Sequence, residues 1–164
     1  MEQGGDRLEL RVARPTDLDP VTFYEILRLR VDVFVVEQAC PYPELDGRDL
    51  DPTTRWVWAS AGDQIVGTLR ILTETETEDG PARIGRVATA ASARSSGIAG
   101  RMLAFALDQI AGRAVVLDAQ SYLEGWYQRF GFARSGAEFV EDGIPHVPMH
   151  RKAQPGTAGS GVLR

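Results

Sequence analysis

A chain of 164 residues with 43% hydrophobic and 25% charged side chains has the makeup of a globular domain that buries roughly two-thirds of its unfolded surface. No apolar run approaches the roughly 20 residues of a membrane span, and Met1 to Arg7 is too polar and acidic for a secretory signal. The single Cys40 allows no intramolecular disulfide, which makes a reducing cytoplasm the expected compartment, and a net charge of −5 speaks against general nucleic-acid binding.

Leu8 to Val12 alternates weakly and predicts a first strand. Asp19-Pro20 is a cap and first-turn pair, and Phe23, Ile26, Leu27, Val33 and Phe34 follow at helical spacing, so a helix is expected to about Phe34. Val35 to Thr54 reads as a long acidic loop with Pro41, Pro43, Gly47 and Pro52, a kind of segment that is usually functional or disordered. Trp56 to Ser60 and Ile65 to Thr73 predict a hairpin, and Arg83 to Thr89 a further strand after the turn at Gly80-Pro81. Ile98, Met102, Leu103, Ala106, Leu107 and Ile110 mark an amphipathic helix that Gly112 ends, before a short buried strand at Ala114 to Ala119. Ser121 with Glu124 suggests a capping box for a short helix that stops at Gly131. Phe132 to Val140 and Ile144 to His150 predict two last strands about Glu141-Asp142-Gly143. The order implies an α/β or α+β fold on a mixed sheet, a single domain over residues 1–152 with a flexible tail at 153–164.

Charge is unevenly spread. Arg83 to Arg134 holds seven arginines against Asp108, Asp118 and Glu124, a local +4 that leaves −9 to the rest. A small polyanion suits such a segment, as does a plain solvated surface. The most informative stretch, Arg94-Ser95-Ser96-Gly97-Ile98-Ala99-Gly100, lies between a predicted strand and helix. The first amides of a helix have no internal acceptors and stabilise an anion, and glycine lets a phosphate approach the backbone. The Gly-Lys-Ser/Thr ending of a nucleotide triphosphate loop is absent, and Ser95 stands where a dinucleotide fingerprint needs glycine.

Arg94-x-x-Gly97-x-Ala99 resembles the Arg/Gln-x-x-Gly-x-Gly/Ala motif of the GNAT N-acetyltransferases. Tyr127-Gln128-Arg129-Phe130-Gly131-Phe132 is similar to that family's Tyr-x-Lys/Arg-x-Gly-Phe signature. Val33 to Gln38, Cys40-Pro41-Tyr42 and Glu141 to His146 resemble its ElaA-like branch, so that the likeness spans about residues 8–151. It implies a mixed, mostly antiparallel sheet of about seven strands flanked by helices, and transfer of an acetyl group from acetyl-CoA to an amine by direct attack. It also implies roles for matching positions. Val87, Ala88 and Thr89 would meet the pantetheine arm. Ser95, Ser96, Gly97, Ile98, Ala99, Gly100 and Arg101 would cradle the diphosphate, with Arg94, Gln120 and Arg129 nearby. Tyr127 matches the general acid that protonates the departing thiolate. By spacing alone Tyr127 shares a helical face with Leu123, Trp126 and Phe130 and reads equally as core.

The base is open. Many members carry a glutamate on the fourth strand, but Arg83-Ile84-Gly85-Arg86-Val87 has no carboxylate, which leaves Glu37, Asp46 and His146. The acids of the 37–51 loop suit a cationic acceptor or a solvated face. Arg30-x-x-Val33-Phe34 and Glu44-x-Asp46-x-x-Asp49 resemble the acyl-homoserine-lactone synthases, which share this fold, and make Arg30, Phe34, Glu44, Asp46 and Asp49 acceptor-binding candidates. A tryptophan expected between those motifs is missing. A binding module that senses acyl-CoA without turnover is the other alternative. A Cys40 nucleophile paired with His146 or His150 has little support, and no metal site is expected. The expected acceptor is a small-molecule or peptide amine, and the expected state of the chain a monomer or homodimer.

Overall fold

The computed structural model describes residues 7–154. Its strands are β1 (Leu8–Ala13), β2 (Arg55–Ala61), β3 (Gln64–Thr73), β4 (Ala82–Thr89), β5 (Val115–Gln120), β6 (Ala133–Arg134), β7 (Phe139–Glu141) and β8 (Ile144–Arg151). They form one sheet in the order β1-β2-β3-β4-β5-β8-β6, with β7 also on β8, and only β4 and β5 run parallel. The fold is therefore a mixed, mostly antiparallel α/β sheet, of eight strands rather than about seven. The added strand comes from Phe132 to Val140, which is two short pieces. Pro148 on β8 has no amide to donate, and beside the short β6 pairing the Ser135 amide donates to the Pro148 carbonyl at 2.8 Å.

Helix α1 (Pro20–Val31) starts as expected, the Asp19 side chain accepting from the Thr22 amide at 3.1 Å. The helical path does not stop at Phe34. It continues through Asp32–Glu37 with a wider winding, in which Gln38 N donates to Val33 O and Cys40 N to Val35 O. The β-branched and aromatic run Val33-Phe34-Val35-Val36 fits an α-helix poorly, and the open winding relieves it. Helix α2 (Ile98–Gln109) crosses β3 at Gly67, where a Cβ would lie 2.8 Å from Met102 Cε. That glycine sets how close α2 sits to the sheet. Met102, Leu103 and Ala106 then pack on Val57, Leu69, Ile84, Val115 and Leu117. Helix α3 is Glu124–Gln128. The expected capping box at its start does not form, because Ser121 Oγ donates to Glu138 at 2.9 Å and Glu124 accepts twice from Arg134.

One irregularity shapes the site. The β3–β4 register slips, Thr68 facing Ala88 while Arg70 faces Gly85, and Arg86 takes a left-handed φ of 52°. Such a bulge bends the strand that carries it. Beside it, β4 pairs with β5 only at Ala82 and Arg83, so the two strands part and open a cleft. Among the described residues no helix is long and apolar enough to cross a membrane.

Candidate active site

The parted strands form the walls of a groove of about 1000 Å³. At one end the chain leaves β4 through a single tight turn at Ala91–Ala93 and enters α2, with Ser95 and Gly97 in left-handed conformations at φ 68° and 76°. Among the described residues no acceptor takes the amides of Ser95, Ser96, Gly97, Ile98, Ala99 or Gly100; Arg101 N is the first engaged, on Gly97 O at 3.1 Å. Ser96 Oγ folds back to Ala93 O. A Cβ on Gly97 would meet nothing within 4 Å, so the space over the loop is open. Six unengaged amides at the positive end of a helix dipole can stabilise an anion, of which a diphosphate is one. Ser96, Arg101 and Arg129, expected around that anion, do not line the groove, and Ser96 contributes only its amide.

From there the groove runs along Val87, Ala88 and Thr89 on β4 and Gln120 on β5 to Tyr127. Spacing left Tyr127 open between core and catalysis, and the structure places it both in the core and on the groove wall. Its side chain is 6% exposed and packs edge-on against Trp126 and Phe132, with ring centres 4.8 and 5.9 Å away. Tyr127 nevertheless lines the groove, and its hydroxyl has no hydrogen-bond partner among the described residues without being fully buried. Burial, with Tyr122 nearby, pushes the phenol up to about 12.

The remaining candidates divide sharply. Phe34, Glu37, Asp46 and His146 line the groove; Arg30, Glu44 and Asp49 do not. Those three are 0%, 3% and 5% exposed. Arg30 Nε donates to Glu44 at 2.6 Å and Nη1 to Asp49 at 2.8 Å, with the guanidinium 4.9 Å from the Trp56 ring centre. Arg70 joins from β3, bonding Asp49 at 2.7 Å and Asp46 at 2.8 and 2.9 Å. The expectation that Arg30, Glu44 and Asp49 contact an acceptor is corrected here: they are buried against one another and staple the 38–54 segment to α1 and the sheet. The acidic loop is likewise not a free acidic face, since arginines occupy most of its carboxylates.

Of the three candidate bases, Glu37 forms a two-pronged pair with Arg94, whose Nε also donates to Thr89 O. The Arg94 hydrogen bonds hold the Glu37 carboxyl below its ordinary range. Burial pushes the Asp46 carboxyl up, but hydrogen bonds and charge from Arg70, with help from the Arg48 amide and Arg86, bring it below its ordinary range. His146 is different. Its Nδ1 lies 2.8 Å from Ile144 O, and a carbonyl only accepts, so Nδ1 carries a proton and the neutral ring would present Nε2 as its acceptor. Phe139 stacks on the ring at 5.7 Å.

Cys40 also lines the groove, but its Sγ lies 3.6 Å from Asp142 O rather than on a histidine. Among the described residues no cluster of three metal-ligating side chains occurs. Tyr42, Arg86 and Tyr122 line the groove without having been singled out as site residues. Arg86 was visible only as the arginine where a glutamate was sought.

A split β4–β5 pair beside a helix N-terminus with free amides is the architecture of an acyl-CoA-using transferase. The chain belongs to the GNAT acetyltransferase family: the model of the acetyltransferase (GNAT) domain matches residues 26–153. Within that family it is similar to protein ElaA of Escherichia coli, 35% identical over 141 residues, covering 84% of this chain and 92% of ElaA. The ElaA crystal structure superposes with a TM-score of 0.84 at 33% identity, covering 89% of this chain and 100% of that one. A UPF0039 protein of Mycobacterium tuberculosis is 49% identical over 143 residues, 87% of this chain and 92% of that protein. The crystal structure of an acyl-CoA N-acyltransferase from Pseudomonas aeruginosa gives a TM-score of 0.83 at 36% identity, covering 88% and 99%.

Proposed function

We propose that this chain is an acetyl-CoA-dependent N-acetyltransferase in which amine and thioester meet in the groove without an acyl-enzyme. The observation that carries the reading is the run of unengaged amides from Ser95 to Gly100 opening into the same groove as the Tyr127 hydroxyl. Acetyl-CoA, when bound, supplies an activated acetyl thioester. The amides and the α2 dipole hold its diphosphate, and the edge of β4 at Val87 to Thr89, freed from β5, offers backbone groups to its extended arm. Tyr127 keeps its proton at every ordinary pH and gives it to the departing thiolate. His146 Nε2 takes the proton of the attacking nitrogen, a task for which the arginine-held carboxylates of Glu37 and Asp46 are weaker bases. Bringing the partners together in one groove accounts for much of the acceleration.

The reading is tested by calorimetry with CoA and by thiol release across a panel of amines. Wild type is expected to bind CoA and release thiol with at least one amine. Gly97→Glu places a charged side chain where φ is 76° and the anion sits, and is expected to weaken CoA binding at least about tenfold. Unchanged CoA affinity in that variant removes the loop from the site.

A further inference from the structure

The charges that line the groove do not balance. Its cations are Arg70, Arg83, Arg86 and Arg94, and each is already held. Arg70 is on Asp46 and Asp49 at 2.8 and 2.7 Å, Arg83 on Glu74 and Asp118 at 2.6 and 3.2 Å, Arg86 on Glu44 at 2.9 Å, and Arg94 on Glu37. Two groove-lining carboxylates, Glu141 and Asp142, have no cationic partner among the described residues. They sit on the hairpin that carries His146, whose tight turn at Asp142-Gly143 has φ values of 50° and 78°. Asp-Gly is the natural pair for such a turn. Cys40 Sγ, 3.6 Å from Asp142 O, ties the turn to the opposite wall.

Excess carboxylates alone would describe a solvated surface. A second observation points into the same groove: the Tyr127 hydroxyl, on a side chain only 6% exposed, has no partner among the described residues. The hairpin thus brings an accepting imidazole nitrogen and two uncompensated negative charges to the groove that this hydroxyl faces.

We infer that the acceptor is a small aliphatic dication, a diamine-like molecule whose distal ammonium rests against Glu141 and Asp142 while its other nitrogen reacts. This rests on the proposed acetyl transfer and names its substrate class. An amino acid is disfavoured, because the groove has no unheld guanidinium to receive its carboxylate. The bonds are those of the parent reaction: the reacting ammonium first gives one proton to solvent, the neutral nitrogen gains an acetyl C–N bond as the thioester C–S bond breaks, its second proton passes to His146, and Tyr127 gives its own to sulfur.

The test compares three acceptors of matched length with the intact protein: 1,4-diaminobutane, n-pentylamine and 5-aminopentanoate. The inference expects kcat/KM to fall in that order, with the diamine about three- to tenfold above the monoamine, the scale of two partly solvated ion pairs. Calorimetry of 1,4-diaminobutane against the CoA-bound protein is expected to show affinity that falls with added salt. Glu141→Gln with Asp142→Asn, which keeps a turn-forming Asn-Gly pair, is expected to compress the acceptor spread to about twofold and flatten the salt dependence, while CoA affinity holds. Equal kcat/KM for all three acceptors, a preference for 5-aminopentanoate, or an unchanged spread in the double variant overturns the inference and leaves acetyl transfer standing. No CoA binding by wild type, read on the same calorimeter, overturns both.

Discussion

Arg30 separates an internal strut from an acceptor contact. Arg30→Met removes a guanidinium that is 0% exposed and leaves Glu44 and Asp49, at 3% and 5%, without one of their partners. Removing one member of a buried pair costs about 3–5 kcal/mol, chiefly because the other charge is stranded. Asp49 keeps Arg70 at 2.7 Å, and Glu44 keeps Arg86 at 2.9 Å and the Tyr42 hydroxyl at 2.5 Å. The lower end, about 3 kcal/mol, is therefore expected, which for a domain of this size is a fall in Tm of about 6–12 °C. Urea unfolding followed by circular dichroism measures it, and adding Glu44→Gln should return part of the loss by removing a stranded charge. CoA affinity is expected to hold at temperatures where the variant is folded. A loss below about 1 kcal/mol, joined to a raised KM for the amine, would refute the strut and make Arg30 an acceptor ligand.

Tyr127→Phe should lower kcat by about 10²–10⁴-fold with CoA affinity little changed, if the phenol is the acid; turnover like wild type returns the residue to the core. Because burial pushes Tyr127 up to about 12, its deprotonation should produce no fall in kcat between pH 7 and 10, and a fall near pH 9 that Tyr127→Phe abolishes would contradict this. Glu37→Gln frees Arg94 for the diphosphate and should tighten CoA about two- to fivefold without changing pantetheine binding. Weaker CoA binding in that variant would show that Glu37 positions the loop instead of competing for it.

The elements that the sequence made visible are those whose signal is local. The alternation of Trp56 to Thr73, the Asp19-Pro20 start of α1 and the small residues from Ser95 to Gly100 each depend on neighbours a few positions away. The features that build the groove do not. Nothing in Arg83 to Thr89 announces that Arg86 adopts φ 52°, or that β4 leaves β5 after two paired residues. The wide winding at Asp32–Glu37 and the break beside Pro148 do have local causes, a β-branched run and a missing amide, but neither cause fixes where the chain goes next.

The acids show the same limit most clearly. Glu44, Asp46 and Asp49 look in sequence like a solvated or amine-binding loop, because their partners lie 14 to 42 positions away at Arg30, Arg70 and Arg86. Glu141 and Asp142 look no different, yet no arginine among the described residues reaches them. What sorts a structural carboxylate from one available to a ligand is which strand carries an arginine within reach, and strand order supplies that where composition cannot. Arg70 on β3 and Arg86 on β4 stand beneath the 38–54 segment and neutralise it. The β7–β8 hairpin lies beyond β5, on the far side of the cleft, out of their reach. The same parting of β4 from β5 that exposes the edge of β4 therefore also leaves one wall of the groove negative.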